Sequence, residues 1–110
     1  VIIMGDFNSR YTRLVDTLEI FQQLNFTDTW VEFTRDGIYP IKDNNNLTDC
    51  SDPSSSICET VDKILFRSNE QVEFRILEYQ KPQAEFQRDG EDLSDHIPVS
   101  TVFEIKILHN

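Results

Sequence analysis

Apolar and polar positions alternate along the chain in patterns that predict one helix and several strands. Residues 1–4 are all apolar, which predicts a short buried strand. Residues 12–25 place apolar side chains at helical spacing, so we expect an amphipathic helix there, closed by Asn25. Residues 26–33, "FTDTWVEF", are aromatic and β-prone and indicate a short strand. The apolar positions of the predicted helix are Leu14, Leu18, Phe21 and Leu24.

The second half of the chain is dominated by alternation of period two. Residues 60–67 and 72–79 predict two strands, and residues 97–107 predict a third after a polar turn at residues 89–96. Residues 35–60 hold no sustained period and are rich in Asn, Ser and Pro, so we expect one long loop. The side chains expected to share a face are Asp62, Ile64 and Phe66 in the first strand, and Ile97, Val99, Thr101, Phe103, Ile105 and Ile107 in the third.

The order of these elements predicts a mixed α/β fold with a largely antiparallel sheet. A chain of 110 residues suits one small domain. Its hydrophobic fraction is 38% and it contains eight phenylalanines, which is enough for an ordinary packed core. We therefore treat residues 1–110 as a single unit.

The charge balance restricts the classes of partner. Twenty acidic residues oppose ten basic ones, for a formal net charge of −10. This charge disfavours nucleic acid as a partner, because binding to its backbone needs clustered Lys and Arg. A nuclease is still possible, since a divalent metal supplies positive charge locally. No apolar run is long enough to predict a transmembrane segment, and residues 1–4 are too short for a signal peptide.

The two cysteines and two glycosylation sequons point to an oxidising compartment. Cys50 and Cys58 flank a short polar stretch, and too few other ligands lie nearby for a zinc site. We predict a Cys50–Cys58 disulfide, the alternative being two free thiols in a cytosolic protein. Asn25 and Asn46 each begin an Asn-X-Thr sequon. Together these features predict a secreted, glycosylated protein whose targeting segment lies upstream of this chain.

Three short motifs place polar groups at the ends of predicted strands. Asp6 and Asn8 lie two residues apart in "GDFN", so an extended chain would point both side chains at one spot. Asp62 is an acid inside an apolar strand, where a carboxylate is costly unless something binds it. Asp95 and His96 are adjacent in "SDHIPV". Taken singly, these motifs are also explained by a turn, a loop cap and a polar loop, but together they predict one site.

Through these three motifs, the chain resembles the C-terminal half of the endonuclease/exonuclease/phosphatase superfamily. The resemblance rests on "GDFN", "VDKIL" and "SDHIPV" in this order and extends over nearly the whole chain. This superfamily includes deoxyribonuclease I-like nucleases, neutral sphingomyelinases and inositol polyphosphate 5-phosphatases. The longer stretches look most like secreted fungal members. "GDFNSR" is also similar to the 5-phosphatase pattern, which makes Arg10 a candidate phosphate contact, the alternative being a solvated charge.

The resemblance implies a four-layer α/β sandwich and hydrolysis of a phosphoester by an activated water with Mg²⁺ or another divalent cation. Asp6 would orient or deprotonate the water, and Asn8 would donate hydrogen bonds to the phosphate. Asp95 would be a ligand of the metal or lie close to it. His96 would contact the phosphate or transfer a proton, and Asp62 would hydrogen-bond His96 and fix its tautomer.

The resemblance also implies that part of the family's site and fold is absent from this chain. Family members carry a metal-binding glutamate, an asparagine and a further histidine before the "GDFN" strand. We therefore expect residues 1–110 alone to be inactive and to expose a broad apolar surface that the N-terminal half of the domain would cover. A sphingolipid or phospholipid headgroup, a soluble phosphate ester and DNA all remain possible substrates. The alternative function is a non-catalytic fragment or interaction module that retains the motifs.

Overall fold

The structure, a computed structural model, describes residues 1–43, 50 and 58–109. Its helices are short and its strands pair in antiparallel fashion, so the predicted mixed α/β class is confirmed. No helix in these ranges is long and apolar enough to cross a membrane. The elements in chain order are β1 (Ile2–Asp6), α1 (Glu19–Gln23), β2 (Thr27–Asp28), α2 (Thr29–Thr34), β3 (Asp62–Phe66), β4 (Val72–Gln80), a 3₁₀ helix (Gln83–Phe86), β5 (Gln87–Arg88), β6 (Glu91–Asp92) and β7 (Ser100–Ile107).

Strand β3 is the centre of the first sheet, which has the order β1-β3-β2. The register of β1 on β3 places Asp6 directly opposite Asp62 at one end of the sheet. Strands β4 and β7 form a second sheet, and β5 and β6 form a separate hairpin. The pairing of β1 with β3 thus brings together two acids that are far apart in the sequence.

The two faces of β3 have different partners. Alternation along a strand puts Asp62, Ile64 and Phe66 on one face, as the sequence predicts. The Phe66 ring packs edge-on against Phe103 of β7, with ring centroids 5.5 Å apart, which joins the two sheets. On the opposite face, the Lys63 ammonium lies 4.5 Å from the centroid of the Tyr11 ring, on the side of the helices. That side holds the main core cluster: Tyr11, Leu18, Trp30 and Val31, with Phe7, Phe21, Tyr39 and Tyr79 packed against it.

The predicted helix over residues 12–25 is wrong in extent, because only Glu19–Gln23 is helical. Leu14 is 67% exposed and takes no part in a helical face. The reason is local: the Asp16 carboxylate accepts the backbone N–H of Arg10 at 2.8 Å, and such side-chain bonds compete with a helical turn. Asn25 does close the helix, with φ at 64°, the left-handed conformation typical of this position.

The prediction of a strand over residues 26–33 is also largely wrong. Only Thr27–Asp28 pairs in the sheet, and the six residues Thr29–Thr34 form a helix. The Asp28 side chain accepts the backbone N–H of Trp30 at 2.9 Å and so caps this helix. A capping aspartate therefore overrides the β preference of the aromatic residues that follow.

Three further corrections concern the strands. Strand β1 is not buried: Met4 is 68% exposed, and within the described part of the chain β1 lies at the edge of its sheet next to β3. The predicted polar turn at residues 89–96 is in part a hairpin, since Asp89 and Gly90 both have positive φ and connect β5 to β6. The last strand begins at Ser100 rather than at residue 97, and Pro98, which lacks an N–H, explains the delay.

The predicted disulfide between Cys50 and Cys58 is present. We expect the double variant Cys50→Ser/Cys58→Ser to lower the free energy of unfolding by about 2.5 kcal/mol, because the bond no longer restricts a short loop in the unfolded chain. Urea unfolding followed by circular dichroism measures this difference. An unfolding midpoint unchanged between the variant and the oxidised parent would contradict the prediction.

Candidate active site

The candidate active site lies where the paired ends of β1 and β3 meet the loop before β7. Asp62, the first residue of β3, accepts a hydrogen bond from His96, with Oδ2 and Nδ1 2.7 Å apart. The other ring nitrogen, Nε2, lies 3.9 Å from Oδ2 of Asp6. The predicted hydrogen bond between Asp62 and His96 is therefore present, and Asp6 is the third member of the cluster.

The "GDFN" segment turns sharply as β1 ends. Gly5 has φ at +148°, a conformation that residues with a side chain rarely adopt. Asn8 is left-handed, with φ at 47°, and its backbone N–H donates to Oδ1 of Asp6 at 2.7 Å. The extended geometry expected for Asp6 and Asn8 is therefore wrong, because the chain turns back on the aspartate. This contact holds Asp6 through one oxygen while the other faces His96.

The loop before β7 brings His96 to the strand ends. The His96 backbone N–H donates to Oγ of Ser94 at 3.0 Å, which tightens the loop just ahead of Pro98. Asp95 and His96 are both exposed, whereas Asp62 is half-buried. The imidazole is thus fixed by Asp62 on one side and open to a ligand on the other.

Two cavities meet at the Asp62–His96 pair. One, of about 320 Å³, has a lining that includes the charged side chains of Arg10 and Asp95 and both members of the pair, together with apolar residues such as Val61 and Ile97; we call it the polar cavity after its charged groups. The other, of about 290 Å³, is lined by the same pair and by apolar side chains from several elements. A polar pocket and an apolar pocket therefore adjoin the same imidazole. The apolar lining includes Met4, Ile64, Phe86, Leu93, Ile97 and Val99.

Arg10 is not the fully solvated charge that the sequence allowed as an alternative. Its side chain is half-buried, and Nε donates to the backbone carbonyl of Glu59 at 3.1 Å. Its backbone N–H is fixed separately by Asp16. The guanidinium is thus held at the wall of the polar cavity.

The Asp62 hydrogen bond, assisted by the negative charge of Asp62 and then of Asp6 and Asp95, raises the pKa of His96 above 6.5. A raised pKa means that the protonated imidazole stabilises the fold fully below about pH 6.5, and that this contribution is lost as the pH rises through the folded-state pKa. We expect Asp62→Asn to lower the pKa of His96. Titration of its ring protons by NMR in a His109→Gln background, in which His96 is the one histidine of residues 1–110, measures the change. An equal pKa in both proteins would contradict the assigned cause.

The same cluster has ligand atoms suited to a divalent cation. One ligand atom from each of Asp6, Asp62 and His96 lies within 4.8 Å of the other two. Carboxylate oxygens fit Mg²⁺, but the imidazole Nδ1 is already engaged by Asp62. Asp95 lines the polar cavity and lies outside this three-residue group. The cluster therefore offers carboxylate oxygens of the kind that Mg²⁺ prefers.

The remaining predicted positions lie outside the cluster. Asn25 is exposed at the end of α1, and Asn46 lies outside the described residues.

Sequence reasoning missed Glu59 and Lys63, which form a buried ion pair next to the site with Oε2 and Nζ 2.8 Å apart. Glu59 contacts residues 48 and 47 positions earlier in the chain, so no local pattern signals its role.

Comparison with known proteins finds similarity to sphingomyelinases. The chain is 33% identical over 108 residues to proteins named sphingomyelinase from Mycobacterium bovis and from two strains of Mycobacterium tuberculosis. The match covers 94% of this chain but only 20% of each relative, so the chain spans about a fifth of their length. No protein-family model matches the chain, and no solved structure matches it significantly.

Proposed function

We propose that this chain forms part of the catalytic domain of a secreted, metal-dependent phosphodiester hydrolase that acts on a sphingomyelin-type phospholipid. The observation that supports this most strongly is the hydrogen-bonded Asp62–His96 pair facing Asp6 at the ends of two paired strands. The similarity to sphingomyelinases favours a phospholipid over DNA and over a phosphomonoester. The net charge of −10 also argues against a nucleic-acid backbone.

His96 is suited to proton transfer and to contact with a phosphate oxygen. Its Nδ1–H is held by Asp62, which fixes the ring orientation and leaves Nε2 directed at the open side. A raised pKa keeps more of the imidazole protonated near neutral pH, so Nε2–H donates to a phosphate oxygen or to the leaving alcohol. Asp62 thereby acts through His96 rather than on the substrate.

Asp6 is suited to orienting the attacking water. One of its oxygens is occupied by the Asn8 backbone N–H, and the other lies 3.9 Å from Nε2 of His96. A water between these groups would be oriented by a carboxylate on one side and an imidazole on the other. The Asn8 side-chain amide, on the exposed turn after Asp6, would donate to the phosphate as negative charge develops.

The positive charge needed for an anionic phosphate comes from Arg10 and from a metal. Arg10 is the one permanent cation among the described residues that line the polar cavity. Asp95 would hold Mg²⁺ or another divalent cation, with further oxygen ligands supplied from outside this chain. When bound, such a cation supplies Lewis-acid stabilisation of the phosphate charge.

We propose that further chain of the native protein completes this site and covers the apolar cavity. The accessible surface of the chain is 7340 Å², which is roughly 1,000 Å² more than a compact monomer of this mass exposes. Large apolar side chains such as Met4 and Leu93 are more than half exposed beside the site. The family's four-layer sandwich would bury this surface against a second sheet.

A substrate panel tests the proposed function. The native protein that carries this chain is incubated with Mg²⁺ and each of three substrates: sphingomyelin vesicles, a soluble phosphomonoester and duplex DNA. We expect release of phosphocholine from sphingomyelin at a rate at least about tenfold above the other two reactions. A preference for the monoester or for DNA would refute the phospholipid assignment. The absence of turnover with all three substrates would refute the proposed hydrolase function.

A further inference from the structure

Glu59 is a fully buried carboxylate that is satisfied by the loop after β1. Its exposed fraction is 0%. Oε2 accepts the backbone N–H of Tyr11 at 2.7 Å, and Oε1 accepts the backbone N–H and the hydroxyl of Thr12 at 3.4 and 3.1 Å. A buried charge is costly unless it is paired and hydrogen-bonded, so this loop and Glu59 stabilise each other's position.

Lys63 ties the same carboxylate to strand β3. Its ammonium lies 2.8 Å from Oε2 of Glu59 and 3.9 Å from Oδ2 of Asp28. Tyr11 completes the network, since its hydroxyl donates to Oδ2 of Asp28 at 2.9 Å. Because Lys63 follows Asp62 directly in β3, the network connects the loop to the strand that carries the histidine's partner.

Arg10 precedes the two residues that the Glu59 carboxylate holds. The Glu59 carbonyl accepts Nε of Arg10, so one residue binds three successive loop residues through different groups. The guanidinium is thereby fixed at the wall of the polar cavity that Asp62, Asp95 and His96 also line. The position of the guanidinium therefore depends in part on the loop that the Glu59 carboxylate holds.

We propose that Glu59 is a positioning residue that fixes the loop of residues 8–12, so that Arg10 presents its guanidinium to the phosphodiester. This inference rests on the proposed function for the identity of the anion. A planar guanidinium recognises phosphate oxygens in a defined geometry, so its orientation matters more than the presence of its charge. Lys63 supports the role by neutralising the Glu59 carboxylate inside the protein.

Hydrogen exchange tests the structural half of the proposal without an assay of activity. In the native protein that carries this chain, Glu59→Gln keeps the side-chain shape but leaves a single acceptor oxygen for the loop donors. We expect the amides of Tyr11 and Thr12 to exchange at least about tenfold faster, while the amides of the β4–β7 sheet are unchanged. Thr12→Val, which removes one donor to the same carboxylate, should show a smaller change in the same segment.

A second variant keeps the exchange measurement decisive if Glu59→Gln does not fold. The double variant Glu59→Gln/Lys63→Met removes the two charges of this ion pair at nearly constant volume, a change that proteins often tolerate, while Asp28 keeps its hydrogen bonds from Tyr11 and Trp30. Circular dichroism verifies that this variant is folded, and the exchange measurement is repeated on it. Unchanged protection of Tyr11 and Thr12 in a folded variant would overturn the proposal.

A double-mutant cycle on turnover tests the functional half. We expect Arg10→Ala to slow sphingomyelin hydrolysis about tenfold in the parent but less than about threefold in the Glu59→Gln background, since the arginine is already misplaced there. Loss of stability alone would leave the effect of Arg10→Ala equal in both. Glu104→Gln, in an exposed ion pair on the second sheet, is the control for an unrelated charge change.

The outcomes separate this inference from the proposed function. Equal effects of Arg10→Ala in both backgrounds, in an active enzyme, would reject the positioning role and leave the phosphodiesterase intact. If the native protein hydrolyses no phosphoester, the proposed function fails, and the exchange measurement alone decides whether Glu59 holds the loop. Faster exchange of Tyr11 and Thr12 together with a reduced effect of Arg10→Ala supports the proposal in full.

Discussion

Replacing His96 with alanine is expected to lower the turnover of sphingomyelin by the native protein about 10³-fold. The variant removes the group that we propose to donate to the phosphate or to the leaving alcohol, and the exposed position of the side chain should leave the fold unaffected. Rates of phosphocholine release at saturating substrate, with circular dichroism to verify folding, measure the effect.

The chain offers a matched control for this variant. His109 is the other histidine and lies after β7, outside the Asp6–Asp62–His96 cluster. The His109→Ala variant should hydrolyse sphingomyelin at the parental rate. A His96→Ala protein that retains more than about a tenth of parental turnover would remove His96 from the chemistry.

Removal of divalent cations is expected to abolish turnover. The acids at this site leave the phosphate facing several negative charges, so without a cation the anionic substrate is repelled. Treatment with EDTA followed by dialysis should reduce the rate to background, and added Mg²⁺ should restore it. Asp95→Asn should raise the Mg²⁺ concentration needed for half-maximal rate about tenfold or more.

Asp89→Asn is the control for the loss of a negative charge, because Asp89 lies in the turn of the β5–β6 hairpin. Its Mg²⁺ requirement should equal that of the parent. Full turnover in the presence of excess EDTA would show that the reaction needs no dissociable metal and would remove Asp95 from its proposed role.

The hydrogen bond between Asp62 and His96 is predicted through the resemblance to a known family and not from a local pattern, because the two residues lie 34 positions apart in the chain. The sequence alone shows only an acid inside an apolar strand, which needs a partner. The register that places Asp6 opposite Asp62 could not be predicted, since pairing between β1 and β3 joins residues far apart in the chain. Periodicity reports which side chains share a face but not which strands are neighbours.

The wrong helix over residues 12–25 and the wrong strand over residues 26–33 have a common physical cause. Side chains that bond to the backbone override intrinsic preference, as Asp28 does when it caps α2 and Asp16 when it accepts the Arg10 N–H. The buried Glu59 shows a different limit, because its loop partners Tyr11 and Thr12 lie almost fifty residues earlier in the chain. Such contacts exist only once the fold has brought the segments together.

In the proposed mechanism Asp62 and His96 act as one unit, with Asp62 working only through the imidazole. The most direct test compares sphingomyelin turnover by Asp62→Asn, His96→Ala and the double variant of the native protein. Residues that act as a unit have non-additive effects, so the double variant should be no slower than His96→Ala within about a factor of three. A double variant slowed by the product of the two single effects would show that Asp62 and His96 act independently and would contradict the account.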